Sequence, residues 1–269
     1  MRYGIIAGNG RFPVLALETA RKQGDEVVVF AIREEASAEV EALANKCYWI
    51  SLGELGKLIE GCKNEAITQI MMAGQVKHAK IFSNIRPDWR LAKVLLSLAT
   101  KNTDSLIGGV QQVLLNEGIE LVDSTLLLKP LLAGSGALSR RKPDSEERRD
   151  IDYGRKIANA LASLDLGQSV AIAERACVAL EAMEGTDAML RRAASLVEGR
   201  KLTLVKASSR RRHLLFDVPV IGPGTVDTMI ATGTTAVAVD AGRTLMLDRD
   251  ELLNKADAAG IAVFGMEPV

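Results

Sequence analysis

"YGIIAGNGRFPVLALETARKQGDEVVVFAI", residues 3–32, reads as strand, glycine turn, helix and strand. YGIIAG (3–8) is a short apolar run that ends in glycine. FPVLALETARKQG (12–24) places apolar residues at helical spacing and closes on Gly24. EVVVFAI (26–32) is β-branched and apolar, as a strand buried on both faces must be. The alternation continues downstream. ELGKLIEGCKN (54–64) predicts a helix, AITQIMMAG (66–74) a strand ending in glycine, residues 86–100 and 104–118 helices, and IELVDST (119–125) a further strand. Alternating β and α elements imply an α/β class with a parallel sheet and helices on both faces, here a Rossmann-like N-terminal domain over residues 1–134.

That pattern breaks at SGALSRRKPDSEERRDIDYG (135–154), which is dense in charge and has no apolar period. The composition predicts a linker over 135–153 and a distinct C-terminal α/β domain over 154–269. Within the latter, GRKIANALASLD (154–165) predicts a helix. Residues 167–184 predict two hairpin-like strands, followed by a turn and a helix, and LTLVKA (202–207) a strand. DVPVIGPGTVDTMIATG (217–233) is a Pro- and Gly-rich loop feeding a helix. The remainder predicts strand, turn, strand, helix and a last strand. No repeat period is present.

Bulk properties exclude several classes. Lys+Arg and Asp+Glu both number 34, so the formal net charge is zero, and aromatics are 4% of the 269 residues. A nucleic-acid-coating protein needs a basic excess and stacking rings, so no nucleic-acid partner is expected. Cys47, Cys62 and Cys177 form no CxxC pair, which suits a reducing compartment. Two histidines, His78 and His213, cannot build a His-rich zinc site. No signal peptide and no run of 18 apolar residues is present, so a cytoplasmic protein is expected.

Four stretches have the composition of ligand sites. AGNGRFP (7–13) lets backbone approach a ligand closely at Gly8 and Gly10, and the helix that follows offers free N–H groups and a positive dipole end. As a dinucleotide fingerprint it is incomplete, because the third glycine position is Pro13, although Glu34 and Glu35 stand where a ribose-binding acid is needed. It is either a ligand-facing loop or a tight turn. MMAGQVKH (71–78) repeats the geometry, with Gly74, Gln75, Lys77 and His78 beyond a strand end. The two loops can then share one crevice at the carboxyl ends of the strands. VALEAMEGTDAML (178–190) spaces Glu181, Glu184 and Asp187 by three. Either Thr186 or Asp187 caps the following helix, or the turn binds an anion and its carboxylates hold a divalent cation. RRRHLLFDVPVIGPGT (210–225) sets Asp217 on a stiffened loop behind three arginines. Metal-assisted phosphoryl chemistry needs such an acid, and so does a plain ion pair. Arg243 is either a hairpin residue or a phosphate contact.

The ordered set GIIAGNGRFP, AGQVK, LLNEGIELVDST, DLGQSV, ALEAMEGTDAML, FDVPVIGPGTV and AVDAGRTLMLD resembles the metal-dependent UDP-2,3-diacylglucosamine pyrophosphatases of lipid A biosynthesis, the type unrelated to calcineurin-like phosphoesterases. The resemblance covers essentially the whole chain. It implies hydrolysis of UDP-2,3-diacylglucosamine to UMP and 2,3-diacylglucosamine 1-phosphate with Mg²⁺ as cofactor. Asp217 is then the essential catalytic and metal-binding aspartate, Asp187 and Glu184 further metal ligands, and Glu181 a bystander. Gly10, Arg11, Gly74, Gln75, Thr186, Asp187 and Arg243 contact substrate. A lipid substrate further implies transient, peripheral contact with the cytoplasmic face of the inner membrane; a homodimer is the common oligomeric expectation. One departure stands out: Asp217 is approached by SSRRRHLLFD (208–217), so Arg210 to Arg212 replace the usual loop. Two other classes compete on the residues alone, an NAD(P)-dependent oxidoreductase and a non-catalytic nucleotide or lipid-sugar carrier.

Overall fold

The computed structural model describes residues 1–76, 86–98, 103–208, 215 and 218–267. They divide into two units, one running from Met1 to Leu128 and including Leu215, the other from Lys129 onward.

The first unit is a five-stranded, wholly parallel sheet in the order β3-β2-β1-β4-β5. Its strands are β1 (Arg2–Ala7), β2 (Glu26–Ile32), β3 (Lys46–Ile50), β4 (Gln69–Ala73) and β5 (Glu120–Leu121). Beyond their first exposed residues, β1 and β2 are buried throughout, because helices cover both faces. One face packs Ile6, Val28 and Phe30 against Leu58 and Ile59 of α3 (Leu55–Asn64) and against α4 (Trp89–Ser97) and α5 (Thr103–Asn116). Leu215 packs into this cluster, and its carbonyl accepts a hydrogen bond from Ser124 Oγ at 2.6 Å. Helix α1 (Phe12–Gln23) starts with a proline in its first turn and stops at Gly24 in the left-handed conformation. The expected strand 119–125 shrinks to two paired residues. The short α2 (Glu39–Leu43) and the strand β3 have no clear sequence signature.

The second unit has a six-stranded mixed sheet ordered β6-β13-β11-β9-β7-β8. The parallel centre is β9 (Leu202–Lys206), β11 (Thr234–Asp240) and β13 (Ala262–Met266). The antiparallel hairpin β7 (Ser169–Ala173) and β8 (Ala176–Leu180) flanks one side, and β6 (Gly136–Ala137) the other. The long α6 (Ser145–Ser163) lies on one face through Ile151, Ala158 and Leu161. The other face carries α7 (Thr186–Leu196), α8 (Pro223–Thr232) and α9 (Arg249–Ala258), with Met189, Leu190, Met229 and Leu252 fully buried.

Two sequence expectations are corrected here. Residues 135–153 are not a linker but hold β6 and the first half of α6. Their charges are paired rather than solvated: Arg141 makes a two-pronged contact to Glu147 at 2.7 and 2.8 Å. Thr235 Oγ1 donates to the same carboxylate at 2.7 Å and the Asp144 amide at 2.9 Å. Asp144 in turn caps α6 in a capping box with Glu147. Second, the strand, turn and strand expected over 234–246 are present, but the two strands do not pair with each other, so Arg243 is not a hairpin residue. The strand β12 (Leu245–Met246) leaves the sheet and pairs in parallel with β10 (Val220–Ile221).

The Glu147 carboxyl is 4% exposed. Burial pushes it up, but the hydrogen bonds from Arg141, Thr235 and the Asp144 amide outweigh that and hold it below the ordinary carboxylate range. A carboxyl depressed on folding stabilises the native state above its unfolded pKa, and that stability is lost as pH falls through the folded value. Replacing Glu147 by Ala leaves the partly buried Arg141 without its counter-ion, so urea unfolding of Glu147→Ala at pH 7 should show a loss of about 3 kcal/mol. The loss should shrink on acidification. An unchanged difference between pH 7 and pH 3 would contradict this account.

Candidate functional site

In the first unit the order β3-β2-β1-β4 places a topological switch between β1 and β4, since the chain winds outward through β2 and β3 and then returns to the other side of β1. The loops that leave β1 and β4 meet there. Gly8 N donates to Ala73 O at 2.8 Å, and Asn9 and Gln75 exchange backbone hydrogen bonds at 2.8 and 3.0 Å. The glycines permit this closeness. A Cβ on Gly8 meets the Gln75 carbonyl oxygen at 2.7 Å; one on Gly74, whose φ is +88°, meets the Asn9 carbonyl oxygen at 2.5 Å. Of the sequence candidates, Gly10, Arg11, Gly74 and Gln75 are therefore brought together. Gly10 has open space around its α-carbon, and Arg11 opens α1 while pairing with Glu18 at 3.2 Å. Asn9 Nδ2 reaches Glu35 at 3.3 Å. Lys77 and His78 lie outside the described residues.

In the second unit the carboxyl ends of β9 and β11 and the start of α7 assemble a polar cluster. Lys206 ends β9, and its Nζ donates to Thr186 Oγ1 at 3.0 Å. Thr186 donates to Glu181 Oε1 at 2.8 Å, and Ser169 Oγ stands 3.1 Å from the same hydroxyl. Asp240 ends β11 and accepts hydrogen bonds from Ser208 N at 2.7 Å and Ser208 Oγ at 3.2 Å. Arg243 Nε donates to Ser208 Oγ at 2.6 Å. Arg155 of α6 approaches Asp240 at 4.0 Å and donates to the Glu267 carbonyl, while its Nε is buried without a partner among the described residues.

The structure redistributes the acids of 178–190. Gly185, at φ +83°, is the N-cap of α7 without a side-chain cap, so Thr186 and Asp187 are first-turn residues rather than caps. Asp187 is exposed. Glu184 pairs with Arg192 at 2.7 Å, and that hydrogen bond holds its carboxyl below the usual range. Glu181, the expected bystander, is buried and accepts the hydrogen bond of Thr186, the hydroxyl at the centre of the network. Among the described residues no group of three or more His, Cys, Asp or Glu side chains is arranged to hold a metal ion. Asp217 and Arg210 to Arg212 lie outside the described residues. Among the described residues near them in sequence, Ser208 is fixed on Asp240, and the Pro219 carbonyl accepts from Leu245 N at 2.9 Å.

Sequence reasoning does not single out Lys206, Ser208 and Asp240, because single polar residues at strand ends look like ordinary surface positions; it notices Glu181 for its spacing, but not for its partner Thr186. A thiol nucleophile is disfavoured at all three cysteines, Cys177 included, whose thiol is also pushed up by burial. Burial pushes Cys62 up to about 12, and burial with the Glu41 charge pushes Cys47 up to about 11.

A parallel-sheet domain with two interlocked strand-end loops, followed by a mixed-sheet domain with a cation-rich strand edge, defines a two-domain α/β protein. Residues 2–131 match the model of the LpxI N-terminal domain and residues 134–264 that of the LpxI C-terminal domain. The UDP-2,3-diacylglucosamine pyrophosphatase LpxI of Caulobacter vibrioides is 32% identical over 277 residues, covering 99% of this chain and 98% of that protein. This chain belongs to the LpxI family. Two solved structures resemble it distantly. A phosphoribosylglycinamide synthetase from Anaerococcus prevotii has a TM-score of 0.28 at 12% identity, with 64% of this chain and 31% of that one covered. Rhizobium etli pyruvate carboxylase has 0.29 at 12%, with 66% and 16% covered. The chain thus spans less than a third of each, and such scores carry no functional argument.

The loop junction makes its own prediction. Gly74→Ala forces a methyl group against backbone in a left-handed conformation, and should destabilise the first unit by about 1–3 kcal/mol in urea unfolding. Gly118→Ala, also left-handed (φ +79°) but in open space, should cost less. Equal losses would show that the close Asn9–Gly74 approach is not what Gly74 serves.

Proposed function

We propose that this chain hydrolyses the pyrophosphate bond of UDP-2,3-diacylglucosamine, yielding UMP and 2,3-diacylglucosamine 1-phosphate in lipid A biosynthesis. The observation that carries the reading is a family match along both domains together with 32% identity over 99% of the chain to a pyrophosphatase of that name.

The chemistry asks for cations and fixed donors around two phosphates. Arg243, held by Ser208 and through it by Asp240, is oriented to take a phosphate oxygen. The Gly10–Arg11 turn and Gly74–Gln75 receive the lipid-sugar portion, their backbone stiffened by the Asn9–Gln75 pairing. Asp217 orients the attacking water or binds the metal. Mg²⁺ is the divalent cation we assign, and when bound it supplies neutralisation of the pyrophosphate charge. Such an ion takes one or two carboxylates and completes its shell with phosphate oxygens and water. Asp187 suits that role, since its carboxylate is exposed and engages no partner among the described residues. Glu184 joins such a set only by releasing Arg192. A diacylated substrate places the reaction at the cytoplasmic face of the inner membrane through transient contact, and no described helix is long and apolar enough to cross a membrane. A homodimer is part of the proposal as the commonest assembly for such an enzyme.

The test is UMP release from UDP-2,3-diacylglucosamine, with Mg²⁺ or with chelator, by the native protein and by Asp217→Asn. Release should require the cation and fall by about 10³-fold or more in the variant, the scale of losing a group that acts mainly in the transition state. Undiminished release in chelator would remove the metal from the proposal. Undiminished release by Asp217→Asn would remove the aspartate.

A further inference from the structure

Thr186 Oγ1 carries one proton and two lone pairs. The proton goes to Glu181 Oε1 at 2.8 Å. Lys206 Nζ, 3.0 Å away, can only donate, and takes one lone pair. Ser169 Oγ, 3.1 Å away, must therefore be a donor as well, and takes the other. The hydroxyl is saturated by protein and has nothing left for a ligand.

Lys206 is in the opposite condition. It is 5% exposed, and an ammonium has three donors, of which Thr186 takes one. Among the described residues no carboxylate lies within ion-pair distance of its nitrogen; the Glu181 carboxylate stands one hydroxyl further off. A buried cation without a counter-ion is costly, and proteins ordinarily pair it. Glu181, 7% exposed, is itself anchored: its Oε2 accepts from Gln168 N at 3.3 Å, and its own amide donates to Ser169 O at 2.9 Å. The chain Glu181–Thr186–Lys206 therefore fixes an under-neutralised ammonium at the carboxyl end of β9, beside the first turn of α7.

We infer that Lys206, and not Thr186, takes a phosphoryl oxygen of the substrate at this edge, and that Thr186 and Glu181 are positioning residues that aim its ammonium. The inference rests on the pyrophosphatase reading and deepens it. It also separates functional from structural roles, because a cation kept without a counter-ion lowers stability for the sake of binding.

The experiment compares the native chain with Lys206→Met, Thr186→Val, Thr186→Ser and Glu181→Gln, using melting temperature with and without inorganic pyrophosphate, then steady-state UMP release. Methionine keeps the length and removes the charge, so Lys206→Met should melt at or above the native temperature. It should lose the pyrophosphate-induced rise and lower kcat by about 10²-fold. Thr186→Val should lower kcat by about tenfold, with Thr186→Ser, which keeps the hydroxyl, recovering most of that loss; Glu181→Gln should fall between them. Melting of Lys206→Met well below native with an intact pyrophosphate response would make Lys206 structural and overturn the inference. So would native kcat in Lys206→Met alongside an impaired Thr186→Val. If the native chain releases no UMP, the function reading fails, while the pyrophosphate-induced shift still decides the role of Lys206.

Discussion

Parallel pairing is the constraint from which the rest follows. Strands that run the same way finish at the same edge, and each must be followed by a loop and a helix before the next begins. In the first unit this gathers the turns after β1 and β4 at the switch point, where main-chain hydrogen bonds between Asn9 and Gln75 join them. In the second it delivers Lys206 and Asp240 to neighbouring strand ends, since β9 and β11 are paired in register up to Val239 and Lys206. The first needs glycine beyond its strand ends so that the two loops can approach; the second needs polar residues at the ends of its parallel central strands.

The two edges present different chemistry. The first offers backbone, made accessible by glycine. The second offers charge on long side chains, each restrained by a short polar residue: Thr186 for Lys206, Ser208 for Arg243. Restraint of this kind matters where charge must meet charge in one geometry, because ordering a free lysine or arginine side chain at the moment of binding costs up to about 2 kcal/mol. Asp240 and Glu181 then act at one remove, holding the restraining residues themselves.

Apolar patterning made the βαβ start, the hairpin at 169–180 and the central strands legible in the sequence. What stayed hidden shares one physical cause: a formal charge does not announce its partner. Residues 135–153 look solvated because Arg141 and Glu147 are six apart, and only the folded chain shows that they meet beneath Thr235. Glu181 and Glu184 look equivalent in sequence, yet one is buried under Thr186 and the other lies outside against Arg192. The glycine loops were readable because a glycine between an apolar run and a helix is a local signal. Lys206 was not, because its setting, with no carboxylate within ion-pair distance among the described residues, exists only in the folded chain. Pairing direction was likewise invisible at β12, where two apolar residues could serve either a hairpin or the distant β10.

Leu215 brings a consequence in time rather than in space. It completes the apolar cluster of the first unit and caps Ser124, yet it is encoded beyond most of the second unit. A ribosome that has finished residues 1–128 has not yet made every piece of the domain they form. The amino-terminal half therefore emerges without one of the residues that pack against its core, and gains it only after α6 and the hairpin have been made.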